Sequence, residues 1–396
     1  MLKTLSPEAA TPVSLAVPIS AGFLTAVVGF ASSFAVVLQG LEAVGASAAQ
    51  AASGLIALCA IQGLIMTWLA WRTRLPISIA WSTPGAALLV ATGLPDGGFA
   101  AAVGAFLTAA LLILLAGLWR PFGRAVEAIP SSLANAMLAG VLLELCLAPV
   151  RAVEAMPWHA LPIILVWAVT LRFTRLYAVP LAVVVTAIVV AFATPVPEGA
   201  FDQAWPALTF VRPTVTLDAT IGIALPLFIV TMASQNIPGL AVLNANGYRP
   251  AAGPLFVTTG GASVISALFG GHMLNLAAIT AALCAGPDAH PDPARRYQAS
   301  ITAGLMYVLI ALMAGAAAAF VAASPPLLIQ AVAGLALLGS LAGAASKALQ
   351  TSSEHIPAIV TFVTTASGLS ILGIGAAFWG LIAGGAVLAL MAFRRS

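Results

Sequence analysis

Apolar residues run along this chain for about twenty positions at a time, the length that carries an α-helix across a bilayer. Polar residues gather in the short breaks between. Cutting at those breaks predicts spans at 14–41, 47–70, 75–93, 97–118, 130–150, 157–173 and 177–194, then at 219–245, 250–268, 271–285, 297–322, 326–346, 355–372 and 374–393. The expected class is an all-α polytopic membrane protein with seven spans in each half.

Two spans break the helical pattern. ISIAWSTPGAALL, from Ile77 to Leu89, alternates like a strand up to Ser82 and then reads as a helix start, with Ser82 or Thr83 as N-cap and Pro84 in the first turn. GHMLNLAAITAALCAG, from Gly271 to Gly286, repeats that plan in the tenth span. The third and tenth spans are therefore each expected to be a short strand followed by a half-helix, Pro84–Gly93 and Ala277–Gly286, each rising only about 15 Å. Both helices must start near the bilayer midplane.

Composition fixes the class. Of 396 residues, 61% are hydrophobic and 7% charged, against about 25% charged in soluble proteins. No separate soluble domain fits, and no basic tract suggests nucleic acid. The apolar run beginning near Pro12 is too long for the core of a signal peptide and reads as an uncleaved first span. Cys59, Cys146 and Cys284 all sit in apolar runs and read as small buried hydrophobes, and no metal site is expected.

Charge placement orients the spans. Of the 15 Lys and Arg, only Arg151 and Arg212 fall in loops on one side and all the rest fall on the other. That asymmetry puts both termini in the cytoplasm. The long polar stretch 195–218 then lies outside, between the halves. An odd number of spans per half makes the second half enter with opposite polarity, which is the geometry of an inverted repeat. GFASSFAVVLQG (Gly29–Gly40) and TMASQNIPGLAVL (Thr231–Leu243) support it, each placing small polar residues in the middle of a span.

Irregular backbone at membrane depth survives only where it is buried in protein or lines a wet cavity. With the halves inverted, the two half-helices face each other by their N-termini, which offer N–H donors and partial positive charge. Together they would form an anion site without buried Lys or Arg. At similar depth lie Ser32 and Ser33 in the first span and Ser234, Gln235 and Asn236 in the eighth, with Trp81, Ser82, Thr83, His272 and Asn275 at the two breaks. These ten are the expected substrate contacts, Trp81 joining Phe30 and Phe34 as an apolar wall. His272 and Glu144, the latter an acidic residue deep in an apolar run, are the candidates for proton handling. No catalytic group is expected, because no nucleophile converges with a base and an acid, and no cofactor is expected either.

AWSTPGAALL (Ala80–Leu89), ALPLFIVTMASQN (Ala224–Asn236), NLAAITAALC (Asn275–Cys284), AHPD (Ala289–Asp292) and TASGLSILGIGAAFWGLIAGG (Thr365–Gly385) make the chain resemble the benzoate:proton symporter (BenE) family over nearly its whole length. The resemblance implies a carrier of the bacterial inner membrane that imports benzoate, or a similar aromatic carboxylate, with a proton. It implies a core of residues 1–118 and 219–322, a gate of 119–194 and 323–396, and an extracytoplasmic linker of 195–218; a homodimer is possible by the same analogy. Related nucleobase carriers hold their ligand with acidic residues in the eighth and tenth spans, where this chain has Gln235, Asn236, His272 and Asn275. A fixed carboxylate would repel an anion, so the departure fits benzoate. The alternatives are a carrier of another organic anion or of a nucleobase and, further off, an anion channel.

Overall fold

The computed structural model describes residues 15–119, 121, 130–193, 205–278, 280–371 and 374–393. Lys3, Arg120, Arg124, Arg394 and Arg395 of the charge count lie outside the described residues, as do positions 195–204 of the expected linker.

Helices α1 (Ala16–Ala31) and α2 (Phe34–Ala43) form the first span, which is interrupted at Ser32–Ser33. Both hydroxyls donate back to the Gly29 carbonyl, at 3.0 and 3.3 Å, and so compete with the backbone for that acceptor. Helix α3 (Ala48–Thr73) opens on a capping box in which Ser47 and Gln50 satisfy each other's backbone N–H. The third span is strand β1 (Ile79–Trp81) followed by α4 (Thr83–Thr92). Helices α5 (Gly98–Leu118), α6 (Ser131–Ala155), α7 (Pro157–Phe173) and α8 (Ala178–Ala193) complete the first half.

The eighth span, α9 (Leu217–Ala245), contains two wide π turns, Thr220–Ala224 and Met232–Asn236. Each ends two residues before a proline, Pro226 or Pro238. Proline cannot donate to the carbonyl one turn back and its ring crowds it, so the helix widens there. Helix α10 (Ala252–Leu268) leads to strand β2 (Leu274–Leu276) and α11 (Ala281–Ala285). Helices α12 (Tyr297–Ala323), α13 (Pro326–Ala348), α14 (His355–Ala366) and α15 (Ala376–Phe393) finish the chain.

The two strands pair antiparallel, Ile79 with Leu276, Ala80 with Asn275 and Trp81 with Leu274. Ser82 N–H donates to Met273 O at 3.0 Å, and Ala277 N–H donates to Ser78 O at 2.9 Å. The same bond occurs twice about an axis through the Ala80–Asn275 pair, which is the local expression of the inverted seven-plus-seven repeat. The helices leaving the strands run in opposite directions.

They are not equal. Ser82 caps α4 and Pro84 sits in its first turn, whereas the second helix starts at Ala281 rather than at the expected Ala277 and no side chain caps it. Thr280 stands at its N-cap position in helical conformation, and its hydroxyl makes no capping bond. A single turn of this length has little dipole, so the expected pair of matched N-termini is reduced to one.

Packing divides the helices into two groups. In one, α3 lies along α12, α5 along α10, and α1 against α12; in the other, α6 lies along α13 and α14, α14 along α15, and α7 along α8. The second group has its own apolar cluster around Ala152, Ile163, Ala182 and Leu335. The paired strands belong to the first group, at its face toward the second.

Candidate functional site

A cavity of about 440 Å³ opens between the groups beside the strands, and its volume is that of a small-molecule site. One wall is aromatic. Phe30 stacks on Phe34 at 4.9 Å between centroids, Trp81 meets Phe30 edge-on at 6.1 Å, and Tyr307 meets Trp81 edge-on at 6.0 Å. Trp81 is held by a hydrogen bond from its indole N–H to the Ser33 hydroxyl, at 2.9 Å. Trp81 and Tyr307 line the cavity itself.

Of the ten expected contacts, Ser32, Ser33, Trp81, Thr83 and Gln235 line this cavity. Their hydrogen-bond states differ. Ser32 and Ser33 donate their protons to Gly29, so toward the cavity they present lone pairs, which suit a donor and not an anion. The hydroxyl of Thr83 and the amide of Gln235 carry no bond to protein among the described residues. They are the donors left open to a ligand.

Ser82 turns away. It is fully buried, its oxygen accepts Gly85 N–H at 3.1 Å and the Thr231 hydroxyl at 3.1 Å, and its carbonyl takes Ala86 N–H. With Pro84 lacking an N–H, the first turn of α4 leaves only the Thr83 N–H for a ligand. The expectation that Ser82 presents donors is corrected on this geometry: it completes the helix end, and Thr83 beside it faces the cavity.

Asn236, His272 and Asn275 are likewise buried outside the cavity lining. The Asn236 Oδ1 accepts Leu276 N–H at 3.0 Å, and Asn275 donates to Leu276 O at 2.9 Å. His272 Nε2 donates to the Ser82 carbonyl at 2.9 Å, while its Nδ1 has no partner among the described residues. All three hold the strands and the α4 end in place. Ser234 donates to the Val230 carbonyl and faces a second cavity of about 670 Å³. Glu144 does not reach either cavity; it is exposed on the outside of α6 and paired with Arg151 two turns along the same helix.

The second cavity runs between α9 and the ends of α6 and α13, past Ser131, Asn135, Lys347 and Gln350. Gln235, Ala278 and Ser340 border both cavities, so Gln235 stands at their junction.

The structure adds residues that the pattern of the sequence did not single out. Arg175, exposed in the turn Arg175–Tyr177 between α7 and α8, lines the first cavity. In the sequence it counted only as one more charge on the basic side. Tyr307, Thr280 and Ser340 also line it; single polar groups in long apolar spans carry no local signal. No Asp, Glu or His lines either cavity among the described residues, and no cluster of metal-ligating side chains occurs among them.

The BenE family profile, described as benzoate membrane transport protein, matches residues 12–390. Among curated relatives, the chain is 41% identical over 379 residues to the inner membrane protein YdcO of Escherichia coli (strain K12), covering 94% of this chain and 96% of that one. It is 34% identical over 388 residues to the benzoate membrane transport protein of Acinetobacter baylyi, covering 97% and 96%. Solved structures of similar fold include the transmembrane domain of a cyanobacterium bicarbonate transporter, BicA, with TM-score 0.61, 15% identity and coverage of 93% and 97%. SLC26A9 is similar with TM-score 0.63, 12% identity and coverage of 95% and 66%. At these identities the structural likeness carries the fold alone. The family profile and the Acinetobacter relative are named for membrane transport and not for an enzyme activity.

Proposed function

The chain belongs to the benzoate membrane transport family, and on that premise we propose that it imports benzoate, or a closely similar aromatic carboxylate, together with a proton. One observation carries the choice of substrate: a cavity of about 440 Å³ with aromatic side chains on one wall and, among its polar lining groups, two uncommitted donors and a cation, Thr83, Gln235 and Arg175, with no acidic side chain among the described residues. A planar ring packs on Trp81 and Tyr307. The carboxylate lies toward the Thr83 hydroxyl and N–H and the Gln235 amide, where α4 adds its positive end. With no fixed carboxylate among the described lining residues, nothing there repels it.

Transport follows from the division of the packing. The group carrying both strands acts as the core, spans one to four and eight to eleven, and the remaining spans as the gate; the core shifts against the gate and exposes the cavity alternately on the two sides. By the charge asymmetry of the sequence, Ser131, Lys347 and Gln350 lie at the cytoplasmic ends of their helices. The second cavity is then a cytoplasmic vestibule, and the conformation is inward-facing, in the bacterial inner membrane.

Proteoliposomes containing the purified chain test this. Labelled benzoate accumulates when the outside is made acidic and does so far less without a pH gradient; salicylate competes, whereas uracil, sulfate and bicarbonate do not. Competition by bicarbonate or sulfate alone would transfer the reading to a small inorganic anion.

A further inference from the structure

The second cavity is a corridor that leads away from the first. Ser340, Gly343, Ala344 and Lys347 of α13 line one side of it, and Gln235, Pro238, Val242 and Ala245 of α9 line another. Residues three or four apart share a helix face, so each set is one continuous face. Gln235 and Ser340 border both cavities, whereas Ala245 and Lys347 border the second alone. From Ser340 to Lys347 the helix rises about 10 Å. A Cβ on Gly343 would meet nothing within 4 Å, so the α13 side is open at its middle.

Each end of the corridor carries a polar group. At the inner end Gln235, 5% exposed, lines the space with an amide that makes no bond to protein among the described residues. At the outer end stands Lys347, exposed in the last turn of α13, and Gln350 beyond it also lines the cavity. The ion pairs among the described residues join Arg151 to Glu144 and Arg295 to Asp292, so Lys347 has no acid partner there. Glu354 accepts the Ser132 hydroxyl at 2.5 Å and lies outside the lining. Asn135 is committed, its amide donating to the Ser131 carbonyl at 2.7 Å.

Between these ends, from Ile237 to Ala245 on α9 and over Gly343 and Ala344 on α13, the lining is apolar. Apolar walls give a charge nothing in return for the water it sheds. An anion in the corridor therefore has its partners at the two ends. We propose that Lys347, with the amide of Gln350, is a second binding station for the carboxylate of the substrate, occupied on the way between the first cavity and the open end of the corridor. The inference rests on the aromatic-carboxylate reading above and adds to it a site about 10 Å further along α13.

The two stations read different parts of the ligand. Lysine is a point charge on a flexible stem with three donors, and charge-assisted bonds to a carboxylate are among the stronger ones. Trp81 and Tyr307 line the first cavity, whereas no aromatic side chain lines the second among the described residues. Selection for the ring therefore belongs to the first cavity. The station at Lys347 recognises the carboxylate alone and accepts aliphatic acids as well as benzoate.

Lys347 and Lys3 are the two lysines of the chain, so modification of Lys347 can be followed by itself. The full chain in detergent is treated with acetic anhydride at constant ionic strength, in the presence of benzoate, cyclohexanecarboxylate, benzamide or chloride, and acetylation of each lysine is read by mass spectrometry. Expected is a several-fold slowing at Lys347 by the two carboxylates, none by benzamide or chloride, and no change at Lys3. Protection by chloride equal to that by benzoate overturns a carboxylate station. Trp81→Ala opens the first cavity and should keep the protection; its loss in folded Trp81→Ala protein would assign the effect to the first cavity. Equilibrium dialysis of labelled benzoate should find two bound per chain in the unsubstituted protein and in Lys347→Arg, and one in Lys347→Gln. An equal number in all three overturns the station, and because Lys347 is exposed this comparison decides even if Trp81→Ala does not fold. Benzoate uptake in proteoliposomes with Lys347 unprotected overturns the station and leaves the proposed function standing, whereas the absence of both removes the two together.

Discussion

Asn236 reaches from the second π turn of α9 to the strand β2, its side-chain oxygen accepting the Leu276 N–H at 3.0 Å. Gln235, its neighbour, points the other way, into both cavities. Adjacent amides thus have opposite duties. Asn236→Ala leaves the Leu276 N–H buried without an acceptor, at a cost of about 1–3 kcal/mol. Its melting temperature in detergent is expected to fall by several degrees, and Gln235→Ala is expected to melt like the unsubstituted protein. Equal melting of the two variants would remove the distinction.

That contrast shows where sequence reading reached its limit. The breaks between spans were legible, and most helix bounds fall within a few residues of those the hydrophobic runs gave, because breaks are written in local turn and charge chemistry; α14 stops at Ala366, short of the expected 372, α6 runs on to Ala155, and α11 starts only at Ala281. The strand-then-helix plan of the third span was legible for the same reason, in Ser82, Thr83 and Pro84. Which side each of two neighbouring polar residues faces was not. Successive residues on a helix point about 100° apart, and the direction of the cavity is set by β1 pairing with β2, far away in the chain. Thr83 against Ser82, and Gln235 against Asn236, were decided by that long-range pairing. Arg175 and Tyr307 were hidden for another reason: one sits among the basic-side charges and the other among apolar residues of α12.

On the proposed reading, Gln235 helps to set the sign of charge that the cavity accepts. Losing a hydrogen bond to a charged group costs about 1.5–3 kcal/mol, so Gln235→Ala is expected to raise the apparent KM for benzoate between tenfold and a hundredfold. Gln235→Glu goes further. Two like charges about 4 Å apart at an effective dielectric near 20 repel by about 4 kcal/mol, and uptake of benzoate should fall below detection at neutral pH. Benzoate uptake by the glutamate variant equal to that of the alanine variant would place the carboxylate elsewhere.

Trp81 combines two roles that substitution separates. Its ring lies between Phe30 and Tyr307, and its N–H fixes it to Ser33. Trp81→Phe keeps an aromatic face and drops the bond, so a moderate rise in KM is expected with the order of benzoate over aliphatic carboxylates retained. Trp81→Ala opens the wall and should abolish that order. Competition of labelled benzoate by cyclohexanecarboxylate and acetate measures it; an unchanged order in the alanine variant would deny the ring a part in selection.

The crossing of α3 and α12 is expected to be rigid. A Cβ on Gly304 would lie 2.3 Å from the Thr67 hydroxyl and 2.7 Å from the Gly63 carbonyl, whereas one on Gly339 of α13 would meet nothing within 4 Å. Gly304→Val should therefore yield little monodisperse protein on size exclusion, while Gly339→Ala behaves as the unsubstituted chain. Normal yield of the valine variant would mean that the two helices can separate without loss of the fold.

Arg175 offers a test of how an anion leaves and enters the mouth that the proposed orientation makes cytoplasmic. Among the described residues the ion pairs are Arg151 with Glu144 and Arg295 with Asp292, so no acid neutralises Arg175 at the cavity edge. A single exposed cation acts on approaching anions through the field it projects, and the field's reach depends on salt: about 30 Å at 0.01 M and about 8 Å at 0.15 M. Transport measured from the cytoplasmic face, in inside-out vesicles, should slow several-fold across that range in the unsubstituted protein and keep a nearly constant rate in Arg175→Gln. The same substitution should alter uptake from the opposite face little, because there the anion meets the cavity after the core has moved. A salt slope unchanged by Arg175→Gln would leave this arginine as a topological charge only, with the open donors at Thr83 and Gln235 attracting the substrate unaided.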